Sequence, residues 1–199
     1  MIKAIVCIGA NGVMGKNGQM PWGDKPLDGK HFRSLTEGHT VVMGRKTFES
    51  MGCEPLPNRH NVVLSRQRLP ISYYEPTFDR IEPVLAIANR HPEKDVWVIG
   101  GSEVYKAFLP YIEEFYITTV GEAFEGDTYF PDIHRSYDWK SEYLGMERVA
   151  YANMPPIDWR IAHMTDYVEE LPKPTAKQYD LIYRKLTKVR REYFSGYVY

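Results

Sequence analysis

VWVIGGSEVY, residues 96–105, holds the fold of this chain in miniature. Val96 to Ile99 are apolar without a break, whereas a strand with one wet face alternates. Such a run fits a strand buried on both sides of a sheet. Gly100-Gly101 then turns the chain, and Ser102 to Leu109 carries helical spacing up to the stop at Pro110. VVMGRKTF, residues 41–48, has the same form, with Gly44 at the turn and a short helix expected over Arg45 to Met51, ending near Gly52. Working outward, apolar runs of this kind lie at Ile2–Ile8, Thr40–Met43, Asn61–Leu64, Val96–Ile99 and Phe115–Val120. Between them, Pro26 to Glu37 reads as a helix, with Asp24 as N-cap, proline in the first turn and Gly38 as its stop. Asp79 to Arg90 reads as another, from the apolar spacing of Ile81, Val84, Leu85 and Ala88. This alternation predicts an α/β fold with a central, mostly parallel sheet flanked by helices.

GANGVMGKNGQMPW, residues 9–22, follows the first run and sets a trap. A dinucleotide fingerprint needs G-x-G-x-x-G opening directly into a helix. Here Gly9, Gly12 and Gly15 are evenly spaced, and Gly18 and Pro21 continue an irregular chain. The stretch reads instead as a long mobile loop with an apolar tip at Met20-Pro21-Trp22, the composition of a flap that closes over a ligand.

The chain has 199 residues, which suits one domain, or one domain with an extension, and 43% hydrophobic content is enough for a core. A formal net charge of -1 gives no general reason to expect nucleic-acid or anionic-membrane binding. No apolar stretch approaches the ~20 residues needed to span a bilayer, and the N-terminus lacks signal-peptide character. Cys7 and Cys53 are expected as free thiols, and no Cys/His spacing resembles a zinc site. His31, His39, His60, His91, His134 and His163 are scattered and read as surface or structural residues. These features predict a cytoplasmic protein, expected to be a monomer. Towards the end, Trp139–Leu144 and Trp159–Thr165 read as strand-like pieces split by the MPPID turn. LPKPTAK reads as a connection, and YDLIYRKL as a final strand, with WRIAHMTDY as the competing choice. KVRREYFSGYVY ends the chain as a basic tail.

Three features carry chemistry. Asp28, Phe32 and Leu35 fall at i, i+4 and i+7, so an acid shares a helical face with an aromatic and a leucine. An ordinary first-turn aspartate favoured by the helix dipole is one reading. A carboxylate facing a pocket, gripping a heterocycle through adjacent N–H and amino groups, is the other. Second, Gly44-Arg45-Lys46-Thr47 and Gly100-Gly101-Ser102 stand at matching strand-to-helix junctions. Glycine lets backbone approach a ligand, and α/β sheets bind ligands at such strand ends. With Arg66 nearby, the two junctions point to a phosphate-rich cofactor. Third, EGDTYFP, residues 125–131, follows a strand and holds a Gly-Asp turn.

These pieces resemble the dihydrofolate reductase family. GVMGKNGQMPW, DGKHFR, VVMGRKTFES, LPNRHNVVLSR, VWVIGGSEVY, YITTV and EGDTYFP match it in order, from the start to about residue 145. The resemblance implies reduction of dihydrofolate to tetrahydrofolate by hydride transfer to pterin C6 with protonation at N5. It also implies NADPH as cofactor and sensitivity to antifolate inhibitors. By the same resemblance Met20 belongs to the loop that closes over nicotinamide and pterin, and Trp22 helps order a water near the pterin. Asp28 is the active-site carboxylate, and Thr118 its hydrogen-bonding threonine. Phe32, Met51 and Leu56 would pack on the substrate, with Ile5, Cys7, Ile99 and Tyr105 in the same pocket. Arg59 would hold the α-carboxylate of the glutamate tail. Gly44, Arg45, Lys46 and Thr47 would run along the pyrophosphate and adenosine side, Leu64, Ser65 and Arg66 along the adenosine, and Arg45 and Arg66 would meet the 2′-phosphate. Gly100 and Gly101 match glycines that the family joins by a cis peptide. Ser102, Glu103, Val104 and Tyr105 would continue around the diphosphate and nicotinamide, with Met14 on the nicotinamide wall.

The chain departs from the family pattern in places. Gly29 stands where a larger apolar residue is common, and Asn58 replaces the glycine of an LPGR turn, which a left-handed asparagine tolerates. Residues 1–187 are expected to form the reductase domain with an insertion at about 146–177, leaving 188–199 as the basic tail. A related pterin or pyrimidine reductase, or a non-catalytic folate-binding protein on the same fold, are the alternatives. Retention of both Asp28 and Arg59 speaks against the first, and the intact Trp22, Asp28, Gly100 and Gly101 against the second.

Overall fold

The structure, a computed structural model, describes residues 1–23, 27–67, 76–134, 137–151 and 177–189. The strands are β1 (Ile2–Gly9), β2 (Val13–Gly15), β3 (Thr40–Gly44), β4 (His60–Leu64), β5 (Thr77–Phe78), β6 (Val96–Gly100), β7 (Glu114–Val120), β8 (Thr128–Tyr129), β9 (Trp139–Tyr151) and β10 (Lys177–Lys188). The helices are α1 (Gly29–Thr36), α2 (Arg45–Ser50), α3 (Glu82–Arg90) and α4 (Ser102–Phe108). One eight-stranded sheet runs in the order β5-β4-β3-β6-β1-β7-β10-β9, and β2 and β8 form a separate pair. From β5 to β7 all neighbours are parallel; β10 is antiparallel to both β7 and β9. All five apolar runs are strands of the sheet.

Alternation along those strands explains why the runs are apolar throughout. Ala4, Val6, Val42, Val62, Val96 and Val98 point to one face, where Val84 of α3 and Val104, Tyr105 and Phe108 of α4 complete a cluster. Ile5, Val41, Met43, Val63 and Trp97 point to the other, against Phe48 of α2 and Phe32 and Leu35 of α1. Helices therefore cover both faces, and every residue of a central strand meets apolar neighbours. At about 25 cal/mol per Å² of apolar surface this double burial is the main force holding the sheet together.

Helix starts differ from the sequence expectation. α1 begins at Gly29 rather than Pro26, with Asp28 in the N-cap position, while the expected cap Asp24 lies outside the described residues. Gly38 has φ +81, so it does act as the stop. α3 begins at Glu82 rather than Asp79, because Thr77–Phe78 joins the sheet as an edge strand and Pro83 fits only the first helical turn. α2 and α4 each end one residue early, with Met51 and Leu109 as caps. YDLIYRKL lies within the strand β10, beside β7, while WRIAHMTDY lies outside the described residues, as do Trp159–Thr165 and the MPPID turn. Of the expected insertion, residues 146–151 lengthen β9 and Lys177 opens β10; 152–176 lie outside the described residues. Lys188, the first residue of the expected tail, still belongs to β10, and its ammonium donates to the carbonyls of Leu109 and Pro110 at 2.9 and 3.0 Å. Among the described residues no helix is long and apolar enough to cross a membrane.

Candidate active site

The C-terminal ends of β1, β3, β4 and β6 and the starts of α1, α2 and α4 border one cleft of about 1760 Å³. Parallel strands leave such a crevice where their connections diverge to opposite faces. Every site residue expected from the sequence lines it except Thr118 and Gly100, which stand directly behind the wall.

Asp28 is only 6% exposed. The hydroxyl of Thr118, on β7, donates to its Oδ2 at 2.9 Å. The parallel register that pairs Cys7 with Thr118 brings this threonine beside the first strand and under the helix start. Burial pushes the Asp28 carboxyl above the usual aspartate value, against the Thr118 hydroxyl, the backbone N–H of Asp28 and the charge of His31. Burial, then the Asp28 charge, also push the Cys7 thiol well up. The Tyr105 phenol, fully buried and shifted far upward, stays neutral and donates to the Ile5 carbonyl at 2.7 Å. One acid therefore sits in a pocket walled by Ile5, Cys7, Phe32 and Ile99. Trp22 is 4% exposed, and its indole N–H meets no partner among the described residues. A buried donor without a partner is costly, and a site ligand or its water can satisfy it.

Further along α1, the Arg59 guanidinium lies 5.6 Å from the Phe32 ring. Its Nε donates to Thr36 Oγ1 at 2.8 Å and its Nη1 to the Pro57 carbonyl at 2.6 Å. Burial lowers its pKa somewhat, with Glu37 opposing and Arg33 adding to the effect. Met51 and Leu56 also line the cleft, in the same apolar cluster as Phe32. The turn that presents Leu56 and Arg59 is built by Asn61, which sequence reasoning took merely as the start of a strand. Asn61 is 1% exposed and bonds both the N–H and carbonyl of Leu56, at 3.0 and 2.9 Å, and the carbonyl of Arg59 at 3.2 Å. Asn58 is left-handed, φ 59, as its place in the turn requires.

At the other end, the C-terminal ends of β3, β4 and β6 contribute Gly44 to Thr47, Leu64 to Arg66 and Gly101 to Val104 to the lining of the cleft floor, together with Met14. A side chain at Gly44 would come within 3.1 Å of Val104 Cγ2, and one at Gly101 within 3.6 Å of Thr47 Oγ1. Bare backbone keeps this floor open. The Gly100–Gly101 peptide is cis. Arg45 is paired with Glu49 at 2.7 Å. Cationic side chains and open backbone fit a phosphate-rich dinucleotide at this end. The structure adds Arg33, Gln19, Arg80 and Tyr129 to the lining. The helix expected from Asp79 includes Arg80, whereas α3 starts at Glu82 and leaves Arg80 ahead of it on the cleft lining; Arg33 is legible as the neighbour of Phe32.

The glycine-rich segment over the cleft is more ordered than a bare loop. Val13 to Gly15 pair with β8, and Lys16 bridges Gln19. Asp127 Oδ2 accepts from the Asn17 N–H at 2.7 Å, Lys16 pairs with Glu125 at 2.7 Å, and Asn11 exchanges two hydrogen bonds with the Phe124 backbone. Met20 packs beside Trp22, whose ring meets Phe124 edge-on at 5.5 Å. The turn EGDTYFP thus anchors the segment that carries Met20.

The family model described as dihydrofolate reductase matches residues 1–157. Dihydrofolate reductase from Bacillus subtilis (strain 168) is 39% identical over 142 residues, covering 70% of this chain and 80% of the relative. Dihydrofolate reductase type A13 from Escherichia coli is 43% identical over 136 residues, covering 67% and 79%. Among solved structures, dihydrofolate reductase from Enterococcus faecalis complexed with NADP(H) and RAB-propyl superimposes with a TM-score of 0.69 at 31% identity, over 96% of this chain and 97% of that one. A sheet order, a cleft and a buried acid of this kind, with relatives of this name over most of the chain, lead to one assignment: the chain belongs to the dihydrofolate reductase family.

Proposed function

We propose that the cleft reduces 7,8-dihydrofolate to 5,6,7,8-tetrahydrofolate with NADPH. Family membership supports the reaction, and one observation carries the site assignment: a single acid, buried and held by Thr118, at the apolar end of a cleft whose other end is cationic and lined by bare glycine. NADPH, when bound, supplies the hydride that pterin C6 accepts. Asp28 binds the N3 and 2-amino groups of the pterin and promotes protonation at N5. The apolar wall of Ile5, Phe32, Met51 and Leu56 orients the ring, and the Met20 segment excludes water from the reacting atoms. Trp22 offers its free indole N–H to a water beside the pterin. Arg59 takes the α-carboxylate of the glutamate tail, its guanidinium already fixed by Thr36 and Pro57. Arg45, Lys46 and Arg66 receive the phosphates of NADPH, and Arg45 exchanges its Glu49 partner for the 2′-phosphate.

Antifolate inhibitors occupy the same apolar end in this reading. The enzyme works as a cytoplasmic monomer; the free thiols Cys7 and Cys53 suit a reducing compartment. The test is to mix the purified protein with dihydrofolate and NADPH and to follow loss of reduced nicotinamide absorbance, with NADH and folate in parallel. Substrate-dependent consumption that prefers NADPH is expected. No consumption with dihydrofolate overturns the assignment.

A further inference from the structure

His31 lies three residues after Asp28, on the same side of α1. It is half-buried and does not line the cleft. Its ring centroid is 4.5 Å from that of Tyr183, the planes inclined at 48°. Tyr183 is the β10 residue paired with Thr118 of β7, and Thr118 holds the Asp28 carboxylate. One turn of helix and one cross-strand pair thus close a ring of contacts: Asp28, Thr118, Tyr183, His31. The Tyr183 hydroxyl donates outward to Glu147 of β9 at 3.2 Å.

We propose that His31 is a positioning residue for the reaction: its charge, held one helical turn from Asp28 by the Tyr183 ring, sets the pH at which Asp28 works. The inference rests on the reading of the cleft given above. The charged and titratable groups around the imidazole come from four elements. Asp28 is at the start of its own helix, Tyr183 comes from β10, Glu147 from β9 stands behind the phenol, and Cys7 of β1 lies on the Asp28 side. Burial lowers the His31 pKa while Asp28 raises it; burial raises the Asp28 pKa while His31 lowers it. Burial therefore moves the two proton affinities towards each other, and the groups titrate as a coupled pair. A protonated His31 opposes protonation of Asp28, so the limb on which turnover falls with rising pH lies lower than it would for Asp28 alone.

Three proteins decide the matter: wild type, His31→Phe and His31→Arg. Phenylalanine keeps a ring against Tyr183 and removes the charge; arginine makes the charge permanent. The falling limb of kcat/KM for dihydrofolate is expected to move up by about 0.5–1 pH unit in His31→Phe and down by a similar amount in His31→Arg, as for one partly screened unit charge. A packing effect moves both variants the same way or neither. A readout independent of turnover is the NMR titration of the His31 ring, whose midpoint is expected to fall in Asp28→Asn. Superimposed profiles, displacement of both variants in one direction, or an unmoved His31 titration overturn the proposal. Wild type that does not consume NADPH with dihydrofolate overturns the underlying reading instead, so the two failures are distinct.

Discussion

Thr118→Val removes one hydroxyl from a site with no exposure and leaves a side chain of nearly the same shape. The bond it deletes, Thr118 Oγ1 to Asp28 Oδ2 at 2.9 Å, has an ionised acceptor. Hydrogen bonds of that kind contribute about 1.5–3 kcal/mol. Burial already opposes ionisation of Asp28, and the Thr118 hydroxyl is the largest influence on the other side. About 1.4 kcal/mol corresponds to a factor of ten in proton affinity. Valine therefore makes the carboxyl bind its proton roughly tenfold or more tightly, and the falling limb of kcat/KM moves up by about one pH unit. Stability responds with a matching sign: ionised Asp28 is left with an unsatisfied buried oxygen, at a cost of about 1–3 kcal/mol, whereas protonated Asp28 is not. The variant should melt several degrees lower than wild type at neutral pH and nearly with it in acid. The assays are NADPH consumption and thermal melting across the pH range. A pH profile that superimposes on wild type, with equal melting deficits in acid and at neutral pH, refutes the role given to Thr118.

Asp28→Asn should keep the fold and lose most turnover at neutral pH, measured by the same absorbance assay; unchanged activity would remove Asp28 from the mechanism. Because the folded pKa of Asp28 is raised, stability of the wild type falls as pH rises from the ordinary aspartate value through the raised one. The asparagine variant should therefore melt higher than wild type above that window and not below it. Arg59→Lys exchanges a fixed fork for a point charge, so KM for dihydrofolate should rise about tenfold with kcat nearly unchanged, while a pterin lacking the glutamate tail is unaffected. Gly126→Ala places a methyl group onto Val13 Cγ1 and the Gly15 carbonyl, so the β2–β8 pair cannot close as it is. A loss of about 1–3 kcal/mol in chemical denaturation is expected, with a lower kcat from a displaced Met20 segment.

The framework of this fold was legible because its evidence is local. A central strand buried on two faces must be apolar at every position, and Val96 to Ile99 or Val41 to Met43 say so without reference to anything else. The glycines at 44 and 100–101 were legible for the same reason: each stands at the end of such a strand, where the next helix begins. Helix starts were less legible, since capping depends on where the preceding chain goes; Thr77–Phe78 pairs with β4 just ahead of the expected helix, and α3 starts only at Glu82.

What the sequence withheld is the set of polar contacts made at long range. Asn61 reads as the first residue of a strand until its side chain is seen holding the turn at Leu56. Thr118, ninety positions from Asp28, is the exception: the family resemblance named it, although no local pattern does and only the register of β7 on β1 brings it there. His31 reads as an ordinary surface histidine, because its partner Tyr183 lies on the last strand, past the stretch where the family resemblance ends. The site residues that touch ligand directly are thus fixed by local pattern, whereas those that tune Asp28 arrive through topology. Substitutions at Thr118, His31 and Tyr183 should accordingly alter how activity depends on pH more than how tightly the cleft holds its substrate at the pH optimum.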